Sequence, residues 1–329
     1  MTSSAAAVYD IISTAVRGRS VSDVGPSDVA TWERVLCIEA CGPWLEWACR
    51  RDPGLARAME PARHIVRAQS EAAVAHALAI GSQLAEIASL APQYGRVLVL
   101  KGAARLLGGE PAGRRTLADI DLLVENSTVW HGALQRELGY RPDDTGTPAR
   151  HLPALIRGGS LAVEIHTQLS DRGSGLDTII WQDTRTPVPG LEIPSAVALA
   201  RHTLMHAVVV HRTLRYRLRD VLDVSAVCMD VCTDVPAGMG RAAETLLAAA
   251  GLREERAADH AWRTVRRVAL ARLAVPATPR VAGDLDPLVY VASQLAEGSP
   301  AVLAGLAWRA VCAPLRTVAT VRGALARGR

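Results

Sequence analysis

The sequence predicts an α+β fold, with one small β-sheet embedded in a predominantly helical chain that has helical regions at both ends. Three observations carry this expectation. Hydrophobic residues make up 49% of the 329, yet Phe is absent and Ala, Val and Leu dominate, which favours helices over a β-sandwich. Strand patterns are confined to the middle of the chain: residues 97–100 are a short aliphatic run, and residues 117–124 and 160–169 alternate polar with apolar. Outside that stretch, apolar residues recur at helical spacing. The expected layout is an N-terminal helical region over 1–92, an α/β core over 93–194 and a C-terminal helical region over 195–329.

The first 19 residues carry Asp10 inside their apolar part and lack a basic start, unlike a secretory signal, and no uncharged apolar run is long enough to cross a bilayer. A reducing, cytoplasmic location is expected. Cys37 and Cys41, like Cys228 and Cys232, stand four apart in helical patterns rather than at zinc-knuckle spacing, and Cys49 and Cys312 stand alone. All six are expected as small buried hydrophobes. Ser27 or Asp28 caps a helix whose apolar face carries Val29, Trp32, Leu36 and Ala40, and Pro61 opens a long helix carrying Ile65, Val66, Val74, Ala77, Leu78, Leu84 and Ile87. Pro92 and Gly95 end it. Trp44 and Trp47 either pack in this helical layer or stack on a substrate.

The first strand, 97–100, runs into Lys101 and Gly102. Gly102 allows a tight turn into a helical segment over 103–107, which gathers backbone amides beside Lys101, a setting that favours a phosphate. Among 37 Lys and Arg residues Lys101 is the only lysine, so the compact ammonium is kept at this one turn. In the alternating stretch that follows, Asp119 and Asp121 share one strand face while Ile120, Leu122 and Val124 share the other. Two adjacent carboxylates either lie on a solvated edge or hold a cation, for which Mg²⁺ is the natural oxygen-ligated choice.

Asn126 or Ser127 caps the next helix, through Leu138, and Gly139 takes the left-handed position after it. Residues 141–150 form a polar loop, either a lid or a simple connection. Residues 152–157, the Gly158-Gly159 turn and residues 160–169 read as a β-hairpin, with Glu164 and His166 on one face of its second strand. If that strand lies beside the Asp strand, three carboxylates converge, the arrangement for metal-assisted phosphoryl or nucleotidyl transfer. His166 then orients an acid, touches a phosphate or relays a proton, or is a hydrogen-bonded structural histidine; His151 is a weaker candidate of the same kind. Later, His202, His206 and His211 lie on an apolar helix. The first two are one turn apart, as in helical zinc sites, but no Glu lies between them and no third ligand is evident. The segment 215–223 sets Asp220 and Asp223 on one helical face among Arg215, Arg217 and Arg219, either an ion-pair network or a triphosphate contact.

The formal net charge is +4, but residues 300–329 hold five arginines and no acid, leaving the first 299 residues at −1. No broad nucleic-acid footprint is present. The C-terminal segment is an amphipathic basic helix, either a solvated face or a peripheral contact with anionic membrane or an acidic partner.

The order Leu100-Lys101-Gly102, Arg114-Arg115, Asp119-Ile120-Asp121-Leu122-Leu123-Val124, Leu138-Gly139-Tyr140, His151 and Val163-Glu164-Ile165-His166 resembles the uncharacterised nucleotidyltransferase family of the DNA polymerase β-like superfamily. The likeness runs from about Val97 to about Ala226, taking in His206, Asp220 and Asp223. It implies a small mixed sheet flanked by helices, with Asp119 and Asp121 as metal ligands and Glu164 as the third carboxylate. Gly102 resembles the glycine of the superfamily's Gly-Ser or Gly-Gly turn, although Ala103 supplies no hydroxyl and the spacing to Asp119 is long.

The function expected is Mg²⁺-dependent transfer of a nucleoside monophosphate from a nucleoside triphosphate to an unidentified acceptor, small molecule, peptide or protein, with release of pyrophosphate. Mn²⁺ is an alternative ion. Asp119, Asp121 and Glu164 are the expected catalytic and metal-binding residues, and Lys101, Gly102, Arg114, Arg115 and His166 the expected donor-binding residues. The alternatives are a non-catalytic nucleotide- or peptide-binding accessory protein and a phosphotransferase using the same site.

Overall fold

The computed structural model describes residues 2–21, 28–143, 152–169, 176–210, 217–228 and 240–274. His151, His211, Arg215, Cys232, Cys312, residues 144–150 of the polar loop and the basic segment 300–329 lie outside the described residues. The chain divides into units Met1–Arg266 and Arg267–Arg329, and the first holds the sheet. The changes of element type at 92 and 194 fall inside that unit.

The elements run α1 (Thr2–Val16), α2 (Val29–Glu39), α3 (Gly42–Cys49), α4 (Pro53–Ala58), a 3-10 turn (Glu60–Ala62), α5 (Arg63–Tyr94), β1 (Val97–Val99), α6 (Lys101–Leu107), β2 (Asp119–Val124) and α7 (Ser127–Leu138). Next come β3 (Arg141–Pro142), β4 (Leu155–Ile156), β5 (Ala162–His166), α8 (Leu176–Gln182), β6 (Thr184–Val188), β7 (Leu191–Pro194) and α9 (Ala196–Met205). A π turn (His206–Val210), α10 (Leu218–Cys228), α11 (Gly240–Ala249) and α12 (Glu255–Ala274) complete the order. The fold is α+β, with one seven-stranded open sheet among the described residues, in the order β3-β4-β5-β2-β1-β7-β6. The sheet is mixed: β2 pairs with β5 and β1 with β7 in parallel, and the other pairs are antiparallel.

The two-residue period of the strands sorts side chains to opposite faces. Val97, Val99, Ile120, Leu122 and Val124 enter the main core with Ile80, Leu84 and Ile87 of α5 and Trp130 of α7. Leu98, Leu100 and Leu123 turn the other way and pack with Ile180 of α8 and Ala198 of α9. Asp119 and Asp121 belong to this second face, so the apolar floor beneath the pair is set by their neighbour Leu123.

The N-terminal helices follow the sequence with instructive departures. Asp28 caps α2, its carboxylate accepting from Thr31 N at 2.8 Å, but Ala40 is a left-handed C-cap (φ +49°) rather than part of the apolar face, and Val29 is exposed. The buried positions are Trp32, Val35, Leu36 and Glu39, and the Glu39 carboxylate accepts from Tyr9 Oη at 2.8 Å and Leu218 N at 2.7 Å. Cys37 is exposed, against expectation, while Cys41 and Cys49 are buried. Pro92 lies inside α5, and Gly95, at φ +90°, ends the helix. Leu78 is 71% exposed, because the buried stripe runs through Val66, Ala73, Ala77, Ile80, Leu84 and Ile87 and leaves Leu78 a step around the helix. The stretch Glu60–Tyr94 is long and apolar enough to cross a membrane by length and composition, and here it supplies one wall of the sheet core.

Candidate active site

The register of β2 against β5 builds the site. Asp121 pairs with Glu164 and Leu123 with His166, so the acid, the second acid and the imidazole come from adjacent strands at adjoining positions. The antiparallel pairing of β4 with β5 is the hairpin expected from Gly158-Gly159. One potential ligand atom from each of Asp121, Glu164 and His166 lies within 4.8 Å of the others. His166 Nε2 sits 2.7 Å from Asp121 Oδ1, and Lys101 Nζ reaches the same oxygen at 2.5 Å. Asp119 lines the same cavity but is not a member of that close trio. Two carboxylate oxygens and one imidazole nitrogen could together hold a divalent metal ion.

Burial pushes the Asp121 carboxyl up, but the Lys101 ammonium and the His166 contact outweigh it and hold it well below the ordinary carboxylate range. Asp119 moves the opposite way. Burial and repulsion from Asp121 raise it, against the pull of Lys101, Arg219 and Arg115. The two carboxylates are thus shifted in opposite directions, Asp121 by its cations and Asp119 by burial and its neighbour's charge.

The turn before α6 is made differently from the sequence expectation. Lys101 itself takes the left-handed conformation, φ +48°, at a cost of about 1 kcal/mol for a side-chain-bearing residue. Strain of this kind concentrates at functional positions. Leu100 N, bonded to Asp121 O at 2.9 Å, ties the turn to the Asp strand, and Lys101 leans onto Asp121 from there. Gly102 serves close approach instead: a Cβ there would lie 1.9 Å from Arg115 Nη1 and 2.3 Å from Leu117 Cδ2.

Arg115 owes its position to Asp223 of α10, donating from Nε at 2.9 Å to Oδ1 and from Nη2 at 3.0 Å to Oδ2. Arg105 also pairs with Asp223, and with Glu110 at 2.5 Å. Arg219 approaches the same carboxylate at 4.0 Å. Burial would raise Asp223, but Arg115 and Arg105 hold it far below its usual value. An ion-pair network is thus centred on Asp223, but Arg105 and Arg115, from outside 215–223, are its close partners among the described residues, and Arg219 of that segment stands further off; the network borders a cavity of about 270 Å³. Lys101, Arg105, Arg115, Arg217 and Arg219 line it together with Asp119, Asp121 and Glu164. Thr203 and His206 close it from α9 and the π turn. Arg114 points elsewhere, over the Trp47 ring at 4.0 Å from its centroid, in a second cavity.

Arg105, and the pairing of Asp223 with Arg105 and Arg115, are additions that the sequence reading missed. The signal for Arg105 is its spacing: four residues after Lys101, it falls on the same face of α6. The placement of Asp223 depends on packing over a separation of 108 residues from Arg115 and had no local signal.

A family model described as an uncharacterised nucleotidyltransferase matches residues 48–253, well over half of the chain. The chain belongs to that family. The matched span contains the whole cavity just described, and it supports nucleotidyl transfer as the class of chemistry. No curated protein and no solved structure matches the chain.

His202, fully buried behind Lys101 and His166, supplies a pH prediction. Burial, the Lys101 ammonium and the neighbouring His166 push its pKa down to about 3, and its Nδ1 has no hydrogen-bond partner among the described residues. The unfolded imidazole titrates near 6.5, so below that pH the unfolded chain binds a proton that the folded one refuses, and stability falls as the pH drops. Asp121 and Asp223, with depressed values, give stability that is complete above the ordinary carboxylate pKa of about 4 and is lost only below it. Urea denaturation from pH 7 to about 4.5 is therefore expected to show a decline that His202→Asn flattens; an unchanged slope in the variant would refute this source.

Proposed function

We propose that this protein transfers a nucleoside monophosphate from a nucleoside triphosphate to an acceptor, releasing pyrophosphate. The observation that carries the reading is the Asp121–Glu164 register, which sets two carboxylates and His166 against a row of cationic side chains. Asp121, Glu164 and His166, with Asp119 beside them, are the residues that would hold Mg²⁺ or Mn²⁺, which supplies Lewis-acid polarisation of the reacting phosphate when bound. Lys101 and Arg115 bind the donor's phosphates, with Arg105, Arg217 and Arg219 behind them, and neutralise charge that develops on the leaving pyrophosphate. Glu164, the less enclosed of the two paired acids, takes the proton of the acceptor's nucleophile. Asp121, held ionised by Lys101 and His166, keeps its charge throughout. A cytoplasmic site of action, where Mg²⁺ and triphosphates are abundant, fits this chemistry.

The test needs no acceptor other than water. The purified protein is incubated with ATP, GTP, CTP or UTP, with and without Mg²⁺, while melting is followed and slow hydrolysis products are separated. A donor at about 100 times its Kd should add roughly 2.7 kcal/mol of stability, only with the metal. Monophosphate plus pyrophosphate is the expected product pair. Diphosphate plus phosphate would place the protein among phosphotransferases instead, and a folded protein with no metal-dependent shift for any triphosphate would contradict the proposal.

A further inference from the structure

A second cavity, of about 570 Å³, opens among α1, α3, α4 and the turn after α11, and shares no residue with the Asp pair's cavity. Its wall is largely apolar, including Val16, Trp44, Leu55 and Leu252, but it also carries two arginines in an unusual setting. The guanidinium carbons of Arg51 and Arg114 each lie 4.0 Å from the centroid of the Trp47 ring. One indole thus holds two like charges. Cation–π attraction fixes both groups there, and their mutual repulsion is left to be relieved.

Close carboxylates do not relieve it among the described residues. Arg51 donates to Trp47 O at 3.2 Å and is in no ion pair there. The nearest carboxylate to Arg114 is Glu110, at 3.8 Å, and that acid is already bonded by Arg105; Arg114 Nε is buried with no hydrogen-bond partner. Burial lowers the Arg114 pKa, Glu110 partly offsets this, and Arg105 and Arg51 push further down. Asp52 is the acid lining the cavity, and its oxygens are taken by Gly54 N at 2.8 Å and by Leu55 N and Val21 N at 3.2 Å. By contrast Arg17 and Arg19, on the same wall, are matched by Asp259 and Glu255 at 2.6 and 2.8 Å.

We propose that this second cavity binds the carboxylate of an organic acid with an apolar body, Arg51 and Arg114 receiving the carboxylate and the partly exposed Val16 and Leu252 the body. A planar carboxylate matches a guanidinium fork, and its charge lessens the repulsion between the two arginines. An apolar peptide C-terminus and a small aliphatic acid share this chemistry. The binding needs neither metal nor nucleotide, so it stands apart from the transfer reaction proposed above.

Calorimetric titration of the full chain tests it, with hexanoate against hexanamide and N-acetyl-Leu-Leu against its C-terminal amide. At least one acid should bind saturably, one per chain, with its amide about tenfold weaker or worse, and Arg51→Gln or Arg114→Gln should weaken the acid by a similar factor. Asp121→Asn should bind the acid as the wild type does, which separates this site from the transfer site. Tighter binding of the peptide acid identifies a chain terminus as the source, and tighter binding of hexanoate a small acid. The proposal is overturned if neither acid saturates, if acid and amide bind alike, or if both arginine variants bind as well as the wild type. Arg51 is exposed, so its variant removes charge without emptying the core.

Discussion

Asp121→Asn is expected to lower transfer by at least about a thousandfold, the equivalent of roughly 4 kcal/mol of lost charge stabilisation at the reacting phosphate. The size follows from position. Asp121 is 2% exposed, faces Glu164 across the β2–β5 pair, and accepts from both Lys101 and His166 on one oxygen. Asparagine keeps the shape and removes the charge, so the sheet register should survive. The variant should nevertheless be less stable without metal, because Lys101 loses the anion that holds it in its left-handed turn. Circular dichroism would check the fold and denaturation the stability. A variant with wild-type turnover would remove Asp121 from the mechanism.

Asp223→Asn is expected to have the largest effect on stability, about 3–5 kcal/mol, since it breaks a buried ion pair from one side only. The side chains of Arg105 and Arg115 are 8% and 15% exposed, and without the carboxylate Arg105 keeps Glu110 while Arg115 loses its hydrogen-bonded anion. Arg115 would lose the partner that holds its guanidinium against Gly102. Donor affinity should then fall along with stability. Urea denaturation reads the first effect and nucleotide titration the second; a change below about 1 kcal/mol would show that the network is solvated rather than enclosed.

Local patterns in the chain placed β1, β2, β4 and β5 and the acids they carry, but not β3, β6 or β7. Alternation in 117–124 and 160–169 set which residues share a face, and the Gly158-Gly159 turn made the hairpin, so the meeting of Asp121 with Glu164 needed only one further step, the pairing of β2 with β5. His166 came with it, on the same face as Glu164. What the sequence did not reveal depended on distant packing. Lys101 and Gly102 exchange roles at the turn because Arg115, thirteen residues on, occupies the space beside Gly102. Adjacent Arg114 and Arg115 part company because one stacks on Trp47 and the other pairs with Asp223, contacts that no short window contains. Leu78 and Cys37 show the limit of helical periodicity: an apolar residue one step off the buried stripe remains in solvent.

The most direct test of the site is the binding of Mn²⁺ to the full chain, followed by electron paramagnetic resonance in the wild type and in Asp121→Asn. A tight site is expected in the wild type, strengthened by a nucleoside triphosphate and absent from the variant. Equal Mn²⁺ binding by the two proteins would contradict the assignment of Asp121 to the metal.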